Sequence, residues 1–298
     1  MTAIYFSPEG ERVVRERYRE VLTRWPVPSQ QLTVPTREGE TFVVACGPGD
    51  APPLVLLHGA GTNSAMWMGD VADWSGHFRV YAVDVIGEPG LSAPSRPPLG
   101  SEAYALWLDD VLAGLGIGAD DRVSLAGASL GGWMAVDYAT RRPGRVERLA
   151  LLCPGGIGAQ KRGFLFKALA LMMLGRWGRR RALELAMGAT PGAEGPDDEA
   201  FMAFAILTFT HFRPRRKPLP VFGDDALRGL TMPTLVIVGG RDVMLDSADT
   251  RRRVEATMPH ARVVFLPETG HGLRAQTARI LSFLLDPAPA GPPGTPAG

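Results

Sequence analysis

The sequence predicts an α/β fold: a doubly wound, mostly parallel sheet with an inserted helical cap. Six near-continuous apolar runs are typical of strands buried on both faces of a parallel sheet. These runs cover residues 54–58, 79–84, 122–127, 148–153, 234–239 and 262–267. Helix-compatible segments lie between them, notably 102–115 and 132–142, as in a wound sheet. The alternation stops between residues 154 and 230, where the pattern is helical only.

The N-terminal elements precede the wound sheet. Residues 7–25 place apolar side chains at helical spacing with charges on the opposite face, which predicts an amphipathic surface helix that two prolines end. Two β-like segments follow, 31–35 and 41–46, and turn-forming residues 37–39 join them. This pattern predicts an antiparallel hairpin at a sheet edge.

The patterns together divide the chain into four parts. The parts are a helix and linker (1–30), a core (31–154 and 231–285), a cap inserted into the core (155–230) with helical stretches at 164–187 and 199–212, and a tail (286–298). The tail consists largely of Pro, Gly and Ala and has almost no large apolar side chain to bury. It is therefore predicted to be disordered.

The composition is that of a globular protein without a strongly charged partner. With 298 residues and 45% hydrophobic side chains the chain can bury a substantial core, and its formal charge of +1 would not attract nucleic acid. Cys46 and Cys153 end apolar runs and are expected to be buried thiols. Neither a signal-peptide pattern nor a membrane-spanning stretch is present, which predicts a cytoplasmic protein without integral membrane association.

A Gly-x-Ser-x-Gly motif at residues 127–131 joins the third apolar run to the helix after it. A serine on such a sharp turn is held in a strained backbone conformation that small neighbours permit, and its oxygen is presented above the sheet. Gly127, Gly131 and Gly132 supply the small neighbours. Ser129 is therefore predicted to be a catalytic nucleophile, the alternative being a helix N-cap serine in a glycine-rich turn.

A serine hydroxyl needs a base to take its proton, and the chain has five histidines. His271 follows a predicted strand at its carboxyl end, where the loops of such sheets carry function. His58 ends a buried run, His77 and His260 precede strands, and His211 lies in the insertion. The sequence therefore predicts that His271 is the general base.

The acid that orients the histidine is expected between serine and histidine in chain order, at the carboxyl end of a strand. Asp242 satisfies both conditions, although an aspartate after Gly-Gly commonly caps its own turn. Asp246 and Asp249 are the alternatives. We predict that Asp242 holds His271 in the required tautomer and stabilises the imidazolium.

Backbone N–H groups are expected to bind the oxyanion that forms on the substrate. The helix that begins at Leu130 directs its free N–H groups and positive dipole end toward this position. The His-Gly-rich turn at 58–61 follows the predicted strand at 54–58 and supplies the second donor. The predicted oxyanion hole is the amides of Ala60 and Leu130, and His58 is expected to be a hydrogen-bonded structural residue.

Four motifs in this order, HGAG, GASLGG, GGRD and TGH, resemble the α/β-hydrolase fold superfamily over roughly residues 32–285. Longer segments are similar to the bacterial carboxylesterase NP group: WPVPSQQLTVPTREG, APPLVLLHGAGTNSAMW, FRVYAVDVIGEPGLS, YALWLDDVLAGLGI and SLGGWMAVDYATRRPGRVERLALLCPGG. The resemblance implies hydrolysis of small esters beneath a helical cap. It places the family's triad on Ser129, Asp242 and His271.

The cap is where the resemblance is weakest, so the identity of the ester does not transfer. The sharp turn at residues 127–131 is the nucleophile elbow of this fold. A serine at its centre argues against haloalkane dehalogenases and soluble epoxide hydrolases, whose similar folds use aspartate at this position. The apolar stretch 165–174 can wall an acyl pocket, which favours an apolar substrate. Two basic clusters, 176–181 and 213–217, are expected to be solvated helix faces, the alternative being contact with a membrane surface or an acidic partner.

The leading hypothesis is a serine hydrolase that cleaves a small, apolar carboxylic ester through an acyl-enzyme. No zinc-ligand cluster and no phosphate-binding glycine loop occurs in the sequence, so no metal and no other cofactor is expected. A hydrolase of thioesters, lactones or C–C bonds would use the same residues. A biosynthetic enzyme, or a ligand-sensing protein on the same fold, is a further alternative.

Overall fold

The computed structural model describes residues 4–161, 163–188, 196–215 and 217–286, and within these ranges it contains one eight-stranded sheet. The strands are β1 (Ser29–Thr36), β2 (Gly39–Cys46), β3 (Pro53–Leu57), β4 (Arg79–Val83), β5 (Val123–Ala128), β6 (Val146–Leu152), β7 (Thr234–Gly239) and β8 (Arg262–Leu266). Their order in the sheet is β1-β2-β4-β3-β5-β6-β7-β8. The pairs β1–β2 and β2–β4 are antiparallel and the other five are parallel, which confirms the predicted edge hairpin and the mostly parallel sheet.

Helices cover both faces of the sheet. Among the described residues they are α1 (Pro8–Leu22), α2 (Val71–Trp74), α3 (Ala103–Gly114), α4 (Leu130–Arg141), α5 (Gly163–Met172), α6 (Gly175–Met187), α7 (Pro196–His211), α8 (Asp224–Arg228), α9 (Ser247–Thr257) and α10 (Thr277–Leu285). Successive residues of β3 alternate between two apolar clusters, because Leu54 and Leu56 face one and Val55 and Leu57 the other. This alternation confirms a doubly wound sheet, buried on both faces.

The structure bears on the sequence expectations for the cap helices, the cysteines and membrane spans. The helical stretch predicted over 164–187 is two helices, α5 and α6, because Gly175 adopts a φ of +65°, a left-handed conformation that a continuous helix cannot contain. Cys46 and Cys153 are buried and free, as predicted. Of the predicted disordered tail, residues 287–298 lie outside the described residues. No helix in the described ranges is long and apolar enough to cross a membrane.

Candidate active site

Ser129 lies between the last residue of β5 and the first residue of α4, as the elbow motif predicts. Its backbone adopts φ +51° and ψ −106°, a conformation that costs free energy for any residue other than glycine. Hydrogen bonds hold this turn in place: the Ser129 amide donates to the Leu152 carbonyl (2.9 Å), and the Ser129 carbonyl accepts from the amides of Trp133 (2.9 Å) and Gly155 (3.1 Å). The turn is therefore anchored both to its own helix and to the neighbouring strand β6.

The glycines around Ser129 are required by close backbone approach. A Cβ atom on Gly127 would lie 2.5 Å from the Gly131 carbonyl oxygen, and one on Gly131 would overlap the Leu57 carbonyl group. Both obstacles are backbone atoms, which cannot rotate away as a side chain can. The elbow therefore has room for no side chain at these two positions, in agreement with the role that the sequence predicts for them.

Gly131→Ala is expected to lower the free energy of unfolding by at least about 1–3 kcal/mol, because the new methyl group forces β3 and α4 apart. Chemical denaturation monitored by circular dichroism measures this loss. Gly144→Ala is the matched control, since a Cβ atom there meets nothing within 4 Å. Equal stability of the two variants would contradict this account of the elbow.

Asp242 and His271 are in direct contact. Asp242 Oδ2 lies 2.6 Å from His271 Nδ1, and its Oδ1 accepts the amides of Met244 (2.8 Å) and Leu245 (2.9 Å). The Asp242 side chain is fully buried and that of His271 is 10% exposed. Burial alone would raise the pKa of the Asp242 carboxyl, but the hydrogen bond and charge of His271 and the two amides outweigh it and lower this pKa. The carboxylate is thus suited to hold Nδ1 protonated.

The two alternative acids, Asp246 and Asp249, bind other groups. The Asp246 carboxylate accepts the Asp249 amide (3.1 Å) as the N-cap of α9, and Asp249 accepts the Ala159 amide (2.9 Å). Of the three aspartates considered, Asp242 is the one that contacts His271.

Of the other histidines, His211 packs on Gly10 of α1.

Cys153 lies beside this pair, a position that the sequence analysis missed. It follows β6, adopts φ +40°, and its Sγ, an Asp242 oxygen and a His271 ring nitrogen all lie within 4.8 Å of one another. Burial and the neighbouring Asp242 carboxylate raise the pKa of the thiol, so that it stays protonated. The sequence shows only that Cys153 directly follows a predicted strand, and the apolar pattern does not reveal which strands are neighbours in the sheet.

These three groups are also of the types that bind zinc. Ligand atoms around a tetrahedral zinc ion are about 3.3 Å apart, since each metal–ligand bond is about 2.0–2.1 Å long for nitrogen and oxygen. The 2.6 Å between His271 and Asp242 is instead the length of a charge-assisted hydrogen bond. The geometry therefore fits a shared proton better than a shared metal.

The sheet brings Ser129 and the Asp242–His271 pair to the same side, the edge formed by the carboxyl ends of the parallel strands. Ser129, Cys153 and Asp242 follow the carboxyl ends of β5, β6 and β7, which are neighbours in the sheet, and His271 follows β8. Ser129 is hydrogen-bonded to Leu152, and the next residue is the cysteine beside Asp242 and His271. All three residues of the predicted triad therefore lie at one edge.

The turn after β3 fixes the direction of the Ala60 amide. The Gly59 carbonyl and the Ala60 N–H belong to one planar peptide unit. The Gly59 oxygen accepts from His58 Nδ1 (2.8 Å) and from the Thr62 hydroxyl (2.8 Å), so the trans N–H of Ala60 points the opposite way. Within the described part of the chain, no protein group accepts a hydrogen bond from the Ala60 or Leu130 amide.

His58 is a structural residue, as predicted. The ring is fully buried, its Nε2 accepts the Val85 amide (2.8 Å), and its Nδ1 donates to Gly59. Burial lowers the pKa of His58, so the neutral ring is the form that these two hydrogen bonds require.

Comparison with known proteins agrees with this fold. Residues 54–281 match the model of the alpha/beta hydrolase family. Carboxylesterase YbfK of Bacillus subtilis is 31% identical over 287 residues, which cover 90% of this chain and 92% of that protein. An uncharacterized carboxylesterase, nap, of the same organism is 33% identical over 87% of this chain and 86% of its own length.

Solved structures are similar over nearly the whole chain. The crystal structure of carboxylesterase CesB (YbfK) from Bacillus subtilis has a TM-score of 0.80 at 29% identity, covering 93% of this chain and 99% of that one. The structure of naproxen esterase (carboxylesterase NP) from Bacillus subtilis has a TM-score of 0.78 at 32% identity and covers 90% and 96%. These matches confirm the resemblance to the carboxylesterase NP group. The chain belongs to the alpha/beta hydrolase family and is a hydrolase.

Proposed function

We propose that this hydrolase is a serine carboxylesterase that cleaves small, apolar esters with Ser129, His271 and Asp242. The observation that carries the proposal is the buried Asp242–His271 hydrogen bond, at the same sheet edge as a serine held at a strained elbow. The similarity to two bacterial carboxylesterases at more than 30% identity supports the ester as the substrate class.

The proposed reaction has two steps. His271 Nδ1 is bonded to Asp242, so Nε2 is the nitrogen that takes the proton from Ser129 Oγ as this oxygen attacks the ester carbonyl carbon. The amides of Ala60 and Leu130 stabilise the oxyanion, the C–O bond to the alcohol breaks, and the alcohol leaves with the proton from His271. Water then attacks the acyl-enzyme by the same path and releases the acid.

Three apolar side chains of the cap segment, 155–230, lie against the predicted catalytic loops, and Lys161 of the same segment donates its Nζ to the Asp242 carbonyl at 2.8 Å. Phe209 of α7 lies over Gly61, one residue after Ala60, and Met187 of α6 packs on Gly272 beside His271. Leu219 lies over Gly155, whose amide is bonded to Ser129. An ester bound between these loops and the cap would meet apolar surface, which supports an apolar acyl or alkyl group.

Labelling with a fluorophosphonate tests the nucleophile. The reagent is expected to modify one residue, Ser129, because only an activated serine attacks phosphorus at neutral pH. Peptide mapping by mass spectrometry identifies the modified residue, and the heat-denatured protein, which should remain unlabelled, is the control. Labelling at another residue would contradict the proposed mechanism.

A series of p-nitrophenyl esters with acyl chains of two to twelve carbons tests the substrate. We expect kcat/KM to rise with chain length until the pocket is full, since each buried methylene contributes about 0.8 kcal/mol of binding. A flat, slow profile together with tight binding of the uncleaved ester would instead favour a ligand-sensing role.

A further inference from the structure

Glu88, in the loop after β4, is a buried carboxylate that the reaction above does not use. It is 1% exposed, and its Oε2 accepts the amide of Gly61 at 2.8 Å. Gly61 is the residue after Ala60, the proposed oxyanion donor, and it adopts φ +71° beneath the ring of Phe209. The turn that carries the oxyanion donor is therefore fixed from one side by a carboxylate and from the other by the cap helix α7.

Arg215, where the chain returns from α7 toward the core, neutralises Glu88. Its Nε donates to Glu88 Oε1 at 2.7 Å and its Nη2 to the Ile86 carbonyl at 3.2 Å, and the guanidinium lies 5.5 Å from the centre of the Tyr104 ring. The Arg215 side chain is 11% exposed. The expectation that cluster 213–217 is a solvated helix face is thus wrong for Arg215, because the chain there is not helical and a buried carboxylate requires a paired cation.

We propose that Glu88 is a positioning residue for the oxyanion hole and that Arg215 links it to the position of the cap. The proposal rests on the proposed function, since it assumes that the Ala60 amide binds the oxyanion. Glu88 fixes the peptide that follows Ala60 through the Gly61 amide. Arg215 also cancels a negative charge that would otherwise oppose the developing oxyanion in a site of low polarity.

Three substitutions separate the hydrogen bond from the charge. Glu88→Ala removes both and is expected to lower kcat about ten- to a hundred-fold, less than the loss of a whole oxyanion donor. Glu88→Gln keeps an acceptor for the Gly61 amide and is expected to lower kcat less than tenfold. Arg215→Met leaves the Glu88 carboxylate unpaired and is expected to lower kcat more than Glu88→Gln does. The double variant Glu88→Gln/Arg215→Met should then recover activity relative to Arg215→Met alone.

The readouts are kcat and KM for a p-nitrophenyl ester, and the inhibition constant of a trifluoromethyl ketone that forms a tetrahedral oxyanion on the serine. We expect kcat to fall with KM nearly unchanged, and the inhibition constant to rise in proportion to the loss of kcat/KM. A raised KM with normal kcat, or unchanged inhibitor affinity, would overturn the proposal.

Asp137→Asn is the matched control for lost stability. It breaks another pair with one buried partner, Asp137–Arg141 within α4, and neither residue touches the Gly61 turn. The thermal unfolding midpoint and kcat are measured for both variants. If the Asp137 and Glu88 variants lose the same activity for the same fall in midpoint, the proposal is also overturned. If Ser129 itself proves dispensable, the proposed function fails; if Ser129 is required and the Glu88 variants keep normal kcat, this inference alone fails.

Discussion

Ser129→Ala is expected to lower kcat for an activated ester by roughly a million-fold, the largest effect of any single substitution in this chain. Without Oγ no acyl-enzyme can form, and the Asp242–His271 pair has no hydroxyl to deprotonate. A residual rate of about 10³ over the uncatalysed reaction is expected, because substrate binding and the oxyanion donors remain. Steady-state kinetics at high enzyme concentration, with a wild-type-free preparation, measures it.

Ser247→Ala is the matched control for this substitution. Ser247 is the first residue of α9, is buried, and donates its hydroxyl to the Gly239 carbonyl at 2.6 Å, at the carboxyl end of β7. Its loss should cost stability without removing the reaction. Near-normal turnover by the Ser129 variant, or equal losses in both variants, would refute the assignment of the nucleophile.

Asp242→Asn is expected to lower kcat by about 10⁴-fold with little change in KM. The substitution nearly preserves the shape of the side chain, but the amide group can donate to Nδ1 and so favour the tautomer that carries its proton on Nε2. That tautomer cannot accept the serine proton. The pH–rate profile and kcat of the purified variant test this directly.

The control is Asp246→Asn, which changes a neighbouring carboxylate in the same way. Asp246 is the N-cap of α9, a position where asparagine serves as well as aspartate, so its activity should stay within about twofold of the parent. Loss of activity in the Asp246 variant with a normal Asp242 variant would transfer the role of the acid. Catalysis by both variants at the parent rate would exclude a carboxylate from the mechanism.

The sequence was informative wherever the relevant signal is local. The six apolar runs correspond to the parallel strands β3–β8 to within two residues at each end, because burial on both faces leaves a continuous apolar pattern. The elbow was equally predictable, since the backbone has few possible conformations where a serine flanked by glycines joins a strand to a helix. The break between α5 and α6 was missed, because helix-compatible residues continue on both sides of Gly175 and a single glycine does not by itself end a predicted helix.

The residues around the predicted triad were only partly predictable. His271 and Asp242 could be selected because each follows a strand in the expected chain order, and the structure places them in contact. Cys153 was interpreted only as a buried thiol, although it lies within 4.8 Å of both. Its own sequence neighbourhood is an ordinary strand end, and its proximity to the pair follows from strand order, which apolar patterns do not encode.

The sequence by itself therefore determined the fold class, the strained serine turn and the chain order of the candidate catalytic residues. Only the tertiary structure decided which charges are buried together. Glu88 and Arg215 are 127 residues apart, and Arg215 lies in a run of basic residues that is typical of a solvated surface. A charged side chain can be buried only where a partner and hydrogen bonds compensate for its lost hydration, and in this chain the fold supplies that partner from a distant segment.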